Sequence, residues 1–376
     1  MLSWKMRREI NRMVEQAQAL VSFPFEPLFQ LGYDCLFYRL IKISHGAQPS
    51  SPKIAVFLVY QPEGIVSSVF DTLSHLSANG YSTLIVSNAR LAVDDLNALI
   101  HHCWLIVERP NYGYDFGGYR DGVRIIRELG ISPESLIILN DSIWWPILDD
   151  DSIVQRVEQS PSDITGTIIH YPVARPFSPQ SRPSFLESYF YHFNEKALAS
   201  SSFTRFWKTY RLSSIKYNAV HRGERRLSQV LARGGLSFEG LFSRESFLNA
   251  IQELDPISLL NVLNYGAYID AAFLEERESL SSSFSFAPAW RDQALSFLEK
   301  TTIRRGFHVS FPLASIGILG ATFIKKSPAQ ANGGIQHLMR DKVLTAVKNN
   351  VISPLRPAVF EEIQSRQLKG ASAVGR

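Results

Sequence analysis

The stretch from Asn111 to Pro146, NYGYDFGGYRDGVRIIRELGISPESLIILNDSIWWP, decides the fold of this chain. It opens with a glycine-rich segment, Asn111 to Tyr119, which predicts a loop that leads into a helix. Apolar residues recur at three-residue spacing from Val123 to Leu129, and Gly130 follows at the position where a helix would end. The first half of the stretch therefore predicts a glycine-rich loop followed by an amphipathic helix.

A buried strand with a polar tip follows this helix. Leu136 to Leu139 is a short, wholly apolar run, and Asn140-Asp141-Ser142 ends it abruptly. In an open α/β sheet, ligands bind beyond the carboxyl ends of the strands, so Asp141 is a candidate ligand residue. The alternative is a simple Asx turn in which Asp141 caps the next segment. The combination of loop, helix, strand and polar tip favours the ligand site.

The residues before Asn111 alternate between strand and helix patterns. Strands are predicted at Ile54 to Tyr60, Ser82 to Val86 and Cys103 to Val107, with helices at Val66 to Leu76 and Asp94 to Ile100. This alternation predicts a mostly parallel sheet with helices on both faces. A Rossmann domain would need a Gly-x-Gly-x-x-Gly turn after its first strand, and a phosphate loop would need Gly-Lys-Ser/Thr. Both are missing here, which disfavours dinucleotide binding and nucleotide hydrolysis.

Composition sets the broad class of the protein. The 376 residues carry a net charge of +4, and 45% of them are hydrophobic, which is typical of a soluble globular chain and gives no sign of a nucleic-acid binder. Two cysteines without metal or disulfide spacing indicate a reducing compartment. We found no signal peptide and no apolar run long enough to span a bilayer. The expected location is the cytoplasm.

Helical flanks are predicted on both sides of the sheet region. Residues 1–50 form an N-terminal helical extension, residues 51–245 the α/β domain and residues 246–376 a mainly helical C-terminal region. The first helix has basic residues at its start and an apolar face, comprising Met6, Ile10, Met13, Val14, Ala17, Leu20 and Val21. Two interpretations stay open: a basic amphipathic helix resting on the cytoplasmic face of the inner membrane, or a helix packed on its own domain.

Three later segments add candidates or remove them. Asp149-Asp150-Asp151 resembles a metal cluster, but such a run more often caps a helix. Residues 172–184 hold four prolines and predict a mobile loop. Glu224 lies early in a predicted helix, Tyr217 to Ala232, and is expected in a first helical turn, where the helix dipole would favour its ionised form. Such a carboxylate suits a general base, although it would also serve simply to stabilise the helix.

Spaced blocks of this sequence resemble the rhamnan synthesis protein F family of bacterial polysaccharide glycosyltransferases. The blocks are Asn111 to Tyr119, Ile138 to Ser142 with Pro146, Asp163 to Gly166, Glu187 to Phe190, Phe206-Trp207, Gly223-Glu224 with Leu227-Ser228, and Gly320 to Lys325. The first two blocks are the most specific. The resemblance implies a GT-A-like α/β fold, in which a nucleotide-sugar-binding sheet is flanked by helices and by helical N- and C-terminal extensions.

The resemblance also assigns roles to residues. Asp141 and Ser142 stand where GT-A enzymes bind Mg²⁺ or Mn²⁺, but only one carboxylate remains of their Asp-x-Asp motif, so substrate oxygens would complete the metal shell. Glu224 stands where inverting members place the base. The donor would contact Tyr60, Asn88, Asn111, Gly113, Asp115, Gly117, Gly118, Tyr119 and Arg120. Trp144, Trp145, His170 and Glu187 would line the acceptor side.

The function expected from this resemblance is transfer of a sugar with inversion, most simply L-rhamnose from dTDP-rhamnose. The partners would be a nucleotide-sugar donor and a lipid-linked or polysaccharide acceptor, without nucleic acid. The alternative is a non-catalytic glycan-assembly or sugar-binding subunit that keeps the fold, and the reduced metal motif favours it.

Overall fold

The strands of the chain lie mainly in its first two thirds. The structure is a computed structural model that describes residues 4–171, 183–327 and 334–374, with side chains given from residue 13 to residue 368 except at position 304. In chain order the strands are β1 Lys42–His45, β2 Lys53–Val59, β3 Tyr81–Ser87, β4 Leu105–Glu108, β5 Ser135–Asn140, β6 Ile143–Trp144, β7 Ile164–His170, β8 Phe185–Leu186, β9 Phe190–Asn194, β10 Phe238–Phe242 and β11 Ile324–Lys325. Most of the loop predicted at 172–184 lies outside the described residues.

Helices separate most of these strands. They are α1 Trp4–Ser22, α2 Glu26–Gly32, α3 Ser67–Ala78, α4 Val93–Ile100, α5 Tyr114–Glu128, α6 Ile153–Glu158, α7 Glu195–Ala199, α8 Ser201–Thr209, α9 Lys216–Ala219, α10 Arg225–Arg233, α11 Arg244–Gln252, α12 Pro256–Asn264, α13 Ala271–Ser282, α14 Pro288–Arg304, α15 Phe307–Ser310, α16 Ile335–Lys348 and α17 Pro357–Val374. Short π-helical turns span Tyr33–Phe37, Val220–Glu224 and Ala314–Ile318, and a 3₁₀ turn spans Tyr38–Leu40.

A nine-stranded sheet organises the described part of the first unit of the chain. Its order is β1-β4-β3-β2-β5-β9-β7-β10, with β8 paired to β7. The four strands β4, β3, β2 and β5 are parallel, whereas β1, β9 and β8 pair antiparallel with their neighbours. The predicted α/β class is therefore confirmed, but the sheet is mixed and not mostly parallel. In strand β2 nearly all of KIAVFLV is buried, as expected for a parallel strand that is covered on both faces.

The sheet edge next to β4 differs from the sequence prediction. Residues 1–50 were expected to be helical, yet Lys42–His45 forms strand β1, which pairs antiparallel with β4. The strand is short and largely exposed, so it has neither the length nor the apolar run by which a buried strand is recognised. The prediction was therefore wrong for these four residues.

Helix α5 lies unusually close to the sheet because of its glycines. A Cβ atom on Gly118 would come within 2.3 Å of Leu58 Cδ1, and one on Gly122 within 2.6 Å of Val56 Cγ1. The two glycines are four residues apart and so share one helix face. Close packing of this face on β2 fixes the position of the helix N-terminus beside the ends of the strands.

Two compact units divide the chain. The first comprises residues 1–141, 154–172 and 177–241, and the second comprises residues 142–153, 173–176 and 242–376. In the second unit β6 pairs antiparallel with β11, and helices α11 to α17 surround an apolar core that includes Trp144, Ile324 and Met339. The predicted start of a helical C-terminal region at residue 246 lies close to the chain entry into this unit, whereas residues 1–50 lie within the first unit.

Candidate functional site

The strand order places the candidate site at the ends of β2 and β5. From β2 the chain continues to β3 and β4 on one side, and it returns to β5 on the other side. The loops that leave β2 and β5 therefore diverge, which is the geometry of a ligand site in an open α/β sheet. Asp141, directly after β5, bridges the two ends: its Oδ2 accepts hydrogen bonds from Tyr60 N and Gln61 Nε2, both at 3.1 Å.

A second carboxylate, Asp115, lies in the first turn of α5 and points to the same place. Its Oδ2 accepts a hydrogen bond of 3.2 Å from Asn140 Nδ2. Burial first, and then the negative charges of Asp141 and Glu224, raise the pKa of Asp115 to about 6, while Lys216 opposes the shift. Three carboxylates from distant parts of the chain thus interact electrostatically in one region, which we call the carboxylate cluster (Asp115, Asp141 and Glu224).

Glu224 enters the cluster from a helix with an irregular turn. The helix begins at Lys216, and Glu224 closes the π-helical turn Val220–Glu224, so the expectation that it lies in a first helical turn is wrong. Ser188 fixes the carboxylate, since its backbone N and its Oγ both donate to Glu224 Oε2, at 3.1 and 2.7 Å. A Cβ on Gly223 would lie 2.4 Å from the Phe116 ring. Gly223 therefore lets this helix approach α5, which carries Asp115.

A histidine and a glutamate form a polar pair: His170 ends β7, and Glu187 directly follows β8. His170 Nε2 and Glu187 Oε1 are 2.7 Å apart, and the imidazole stacks on Phe185 at a centroid distance of 4.8 Å. The guanidinium of Arg225, the residue after Glu224, lies 5.6 Å above the same phenyl ring. The pair is therefore linked through Phe185 to the helix that carries Glu224. Its assignment to the acceptor side stays a prediction.

Asn88 was predicted to contact the donor, but its side chain is buried and forms a hydrogen bond within the protein. Its buried Oδ1 accepts a hydrogen bond of 2.5 Å from Arg109 Nη1. Arg109 also donates to Asp121 Oδ2 at 2.7 Å, and both of these charged side chains are fully buried. Tyr33 donates to the same Asp121 oxygen at 2.6 Å. Asn88 is thus one partner in a buried ion-pair network that the sequence did not reveal, and its donor role does not fit this environment.

The glycine-rich segment is mostly helical, which corrects the predicted loop. Helix α5 begins at Tyr114, so Gly117 and Gly118 lie in its first turns, and neither has a positive φ. A Cβ on Gly117 would meet Tyr112 O at 2.1 Å, so this glycine accommodates the protein's own backbone. The left-handed residues of the segment are Gly113, with φ 87°, and Tyr114, with φ 52°, and Gly113 caps the helix N-terminus.

Two further donor candidates of this segment are engaged by the protein itself. Tyr119 is fully buried and donates to Ser188 O at 2.8 Å. Arg120 forms a bidentate pair with Asp34, at 2.8 and 2.9 Å. The predicted contact of Arg120 with the donor does not fit this pairing. Tyr60 and Asn111 are exposed and stay candidates for the donor.

The two tryptophans after Asp141 do not match the expected acceptor surface. Trp144 and Trp145 are 0% and 2% exposed. The indole of Trp144 donates to Glu362 Oε2 at 2.7 Å, and that of Trp145 donates to Asp151 Oδ2 at 3.1 Å. Trp144 belongs to the apolar core of the second unit, and Trp145 is buried as well. Asp151 also accepts from Ile153 N at the start of α6, as expected for a helix cap.

The residues of the carboxylate cluster fit a divalent metal ion only in part. Among the described residues, no group of three or more His, Cys, Asp or Glu side chains stands ready to hold one. The carboxylate cluster nevertheless has an excess of negative charge, because Asp141 and Glu224 both raise the pKa of Asp115. Oxygen donors of this kind suit Mg²⁺ or Mn²⁺. Asp141, with Ser142 after it, remains the candidate ligand, and most of the coordination would come from substrate and water.

Sequence reasoning missed several residues that shape the cluster. Gln61, Asn140 and Ser188 hold the three carboxylates by hydrogen bonds, and Lys216 supplies the neighbouring positive charge. Gln61 and Asn140 had a detectable signal, since both are polar residues at the ends of apolar strands. Ser188 and Lys216 had none, because their proximity depends on antiparallel pairing and on a helix start far along the chain.

Comparison with known proteins gives three likenesses. The sequence signature of rhamnan synthesis protein F matches residues 83–259. A protein of Sinorhizobium fredii (strain NBRC 101917 / NGR234), described as uncharacterized protein y4gN, is 32% identical over 325 residues, which cover 86% of this chain and 83% of that protein. Among solved structures, the mannosyltransferase PcManGT from Pyrobaculum calidifontis, in complex with GDP-Man and Mn²⁺, is 11% identical with a TM-score of 0.32 over 90% of this chain and 99% of that one.

These likenesses differ in weight. The TM-score of the mannosyltransferase is too low to inform the fold or the site. The family signature spans β4 to β10, the glycine-rich helix start and all three carboxylates of the cluster, and the relative extends the likeness over most of both chains. On this evidence the chain belongs to the rhamnan synthesis protein F family.

Proposed function

We propose that this protein is an inverting glycosyltransferase that adds a sugar, L-rhamnose from dTDP-rhamnose, to a growing cell-surface polysaccharide. The observation that carries the proposal is the carboxylate cluster at the ends of β2 and β5, in a chain of the rhamnan synthesis protein F family. An α/β sheet binds its ligand at this edge. A GT-A-like fold is consistent with the nine-stranded sheet and its flanking helices.

Glu224 is the proposed general base. Its carboxylate is oriented by two hydrogen bonds from Ser188 to one oxygen, Oε2. In the proposed step the acceptor hydroxyl forms a bond to the anomeric carbon, the bond from that carbon to the diphosphate breaks on the opposite face, and Glu224 takes the hydroxyl proton. The nucleoside diphosphate leaves with the electron pair. General base catalysis of this kind contributes about 10²–10⁴-fold to the rate.

Asp141 is the proposed contact of the donor diphosphate. Its bonds to Tyr60 N and Gln61 orient it at the end of β5. A divalent cation held by Asp141 and by diphosphate oxygens would offset the charge that develops on the leaving group. The exposed Tyr60 and Asn111 are then the residues that would contact the nucleoside, and the pair of His170 with Glu187 would lie on the acceptor side.

The test is release of dTDP from dTDP-rhamnose by the purified protein, with and without Mg²⁺ or Mn²⁺ and with a polysaccharide fragment as acceptor. Glu224→Gln should lower the transfer rate by about 10²–10⁴-fold and leave donor affinity, measured by calorimetry, nearly unchanged. Glu253→Gln, an exposed glutamate in the second unit, is the matched control and should transfer normally. Normal transfer by Glu224→Gln would contradict the assignment of the base.

A second candidate is a non-catalytic subunit that binds a nucleotide sugar or a glycan. It is favoured by the single carboxylate of the metal motif and by the lack of a ready metal group among the described residues. Calorimetry with several nucleotide sugars separates the two. A protein that binds a nucleotide sugar without releasing its nucleotide, with any acceptor or metal, is the subunit and not the enzyme.

A further inference from the structure

The N-terminal helical segment, residues 26–40, turns its polar side chains towards the protein. This segment comprises α2 and the π and 3₁₀ turns that continue it, and its backbone is helical throughout. Glu26 is buried and accepts from Asn218 Nδ2 at 2.9 Å and from Arg222 Nη1 at 2.6 Å. Gln30 bonds to the backbone of Tyr210 and of Leu212, at 3.2 and 3.1 Å.

The same polar row continues for two more turns. Tyr33 donates to Asp121, Asp34 pairs with Arg120, and Tyr38 donates to Glu128 at 2.8 Å. These inward residues recur every three or four positions, which defines one face of a helix. A helix of a soluble protein normally packs its apolar stripe inward and leaves its polar face in water. Here the arrangement is reversed.

The opposite face is apolar and faces outward. Leu28, Phe29, Leu36 and Leu40 are 67%, 62%, 65% and 58% exposed. Among the described residues, more than half of the exposed large apolar side chains fall between Met13 and Ile43. Soluble monomers rarely expose apolar side chains in such concentration unless the surface binds something. We call the outward side chains of this stretch the apolar face, comprising Phe25, Leu28, Phe29, Leu36 and Leu40.

The charges of this stretch indicate what covers the apolar face. Arg39 and Lys42 are exposed, and the sequence before residue 13 adds Lys5, Arg7, Arg8 and Arg12. The acidic residues Glu26 and Asp34 are turned inward and paired with arginines. Among the described side chains, the outward surface of this stretch is therefore apolar, with Arg39 and Lys42 as exposed cations. Apolar side chains flanked by cations match an anionic lipid surface, in which acyl chains lie beneath negative headgroups.

We propose that the apolar face docks this protein onto an anionic lipid bilayer as a peripheral membrane protein. The segment would lie in the interfacial plane with Leu28, Phe29, Leu36 and Leu40 among the upper acyl chains. Among the described helices, none is long and apolar enough to cross a membrane, which agrees with a surface contact. The inference does not depend on the proposed sugar transfer.

The experiment is co-sedimentation of the full chain with vesicles. Vesicles of phosphatidylcholine with phosphatidylglycerol should bind the protein, and vesicles of phosphatidylcholine alone should bind it more weakly. Phe29→Glu with Leu36→Glu should lower binding to the anionic vesicles by at least about tenfold. Each change replaces an apolar side chain that would be buried in the bilayer by a negative charge. Point substitutions are preferable to deleting the segment, because Glu26 and Asp34 anchor it to the domain.

The matched control is Val93→Glu with Phe286→Glu. These side chains are 73% and 70% exposed, lie outside the segment and change the net charge by the same amount, so this variant should bind anionic vesicles like wild type. Both double variants should keep the wild-type melting temperature. Equal loss of binding in both would mean a general charge effect and would overturn the proposal. So would light scattering that shows a dimer which only Phe29→Glu with Leu36→Glu dissociates, because a second copy would then cover the face.

Discussion

Replacing Asp115 by asparagine should stabilise the protein at neutral pH while impairing its site. The side chain is partly buried beside two other carboxylates, and its pKa is raised from 3.8 to about 6. A difference of about two pKa units corresponds to about 3 kcal/mol, at about 1.4 kcal/mol for each unit. Asparagine keeps the size and an oxygen that accepts from Asn140, but it carries no charge.

The sign of the effect follows from proton linkage. Below a pH of about 3.8 the carboxyl is protonated in the folded and in the unfolded protein, so it costs nothing. As the pH rises to about 6, the unfolded state releases its proton first, and the folded state is destabilised until Asp115 ionises as well. Asp115→Asn removes this cost. The variant should therefore gain stability relative to wild type between these pH values, and reach a plateau of about 3 kcal/mol above them.

Urea unfolding at about pH 4 and about pH 8 measures this difference. Asp150→Asn, an exposed aspartate outside the cluster, is the control and should show little dependence on pH. Donor binding should fall in Asp115→Asn, so the variant would be more stable but less functional. A stability difference that stays constant between the two pH values would refute the reasoning, because burial and the neighbouring carboxylates would then not raise the pKa of Asp115 in the folded protein.

Three further predictions concern the same region. Glu224→Gln should lower sugar transfer by about 10²–10⁴-fold, and donor binding that falls in parallel would point to a binding role instead. Asp141→Asn should abolish any enhancement of donor binding by Mg²⁺ or Mn²⁺ in calorimetry without lowering the melting temperature; unchanged metal dependence would leave Asp141 as a turn residue. Gly118→Ala should destabilise the protein by about 1–3 kcal/mol, because its Cβ would press on Leu58 at 2.3 Å. Gly32→Ala, where a Cβ meets nothing within 4 Å, is its control in urea unfolding and should be neutral or slightly stabilising.

The position of Asp141 was predictable because it depends on local information. An apolar run that ends in a polar turn marks the end of a buried strand, and the rule for open α/β sheets places ligands there. Glu224 was nominated mainly through the family resemblance. Its first-turn placement was wrong because the predicted helix start at Tyr217 and the observed start at Lys216 both lie well before Glu224, which closes a π-helical turn that no sequence pattern indicated.

The inward orientation of the polar side of residues 26–40 could not be predicted from the sequence, for a different reason. Periodicity shows that residues 26–40 have a polar side and an apolar side, but it does not tell which side faces inward. That choice depends on Arg120 and Arg222, which are far along the chain and neutralise Asp34 and Glu26. The two tryptophans after Asp141 were predicted on the acceptor side but are buried, and the sequence did not indicate this because an aromatic side chain suits a sugar-binding surface and a core equally well.

The π-helical turn at Val220–Glu224 makes the site sensitive to chain length as well as to residue identity. Such a turn holds one more residue than an α-helical turn would. Losing one codon from this turn would convert it to a regular α-helical turn, so the residues after it would keep their facing. Losing one codon from the regular helix α10, at Arg226 for example, would instead rotate the following residues by about 100° relative to Glu224. The buried Leu227 and Leu231 would then lose their present facing, although all three residues of the carboxylate cluster would remain in the sequence.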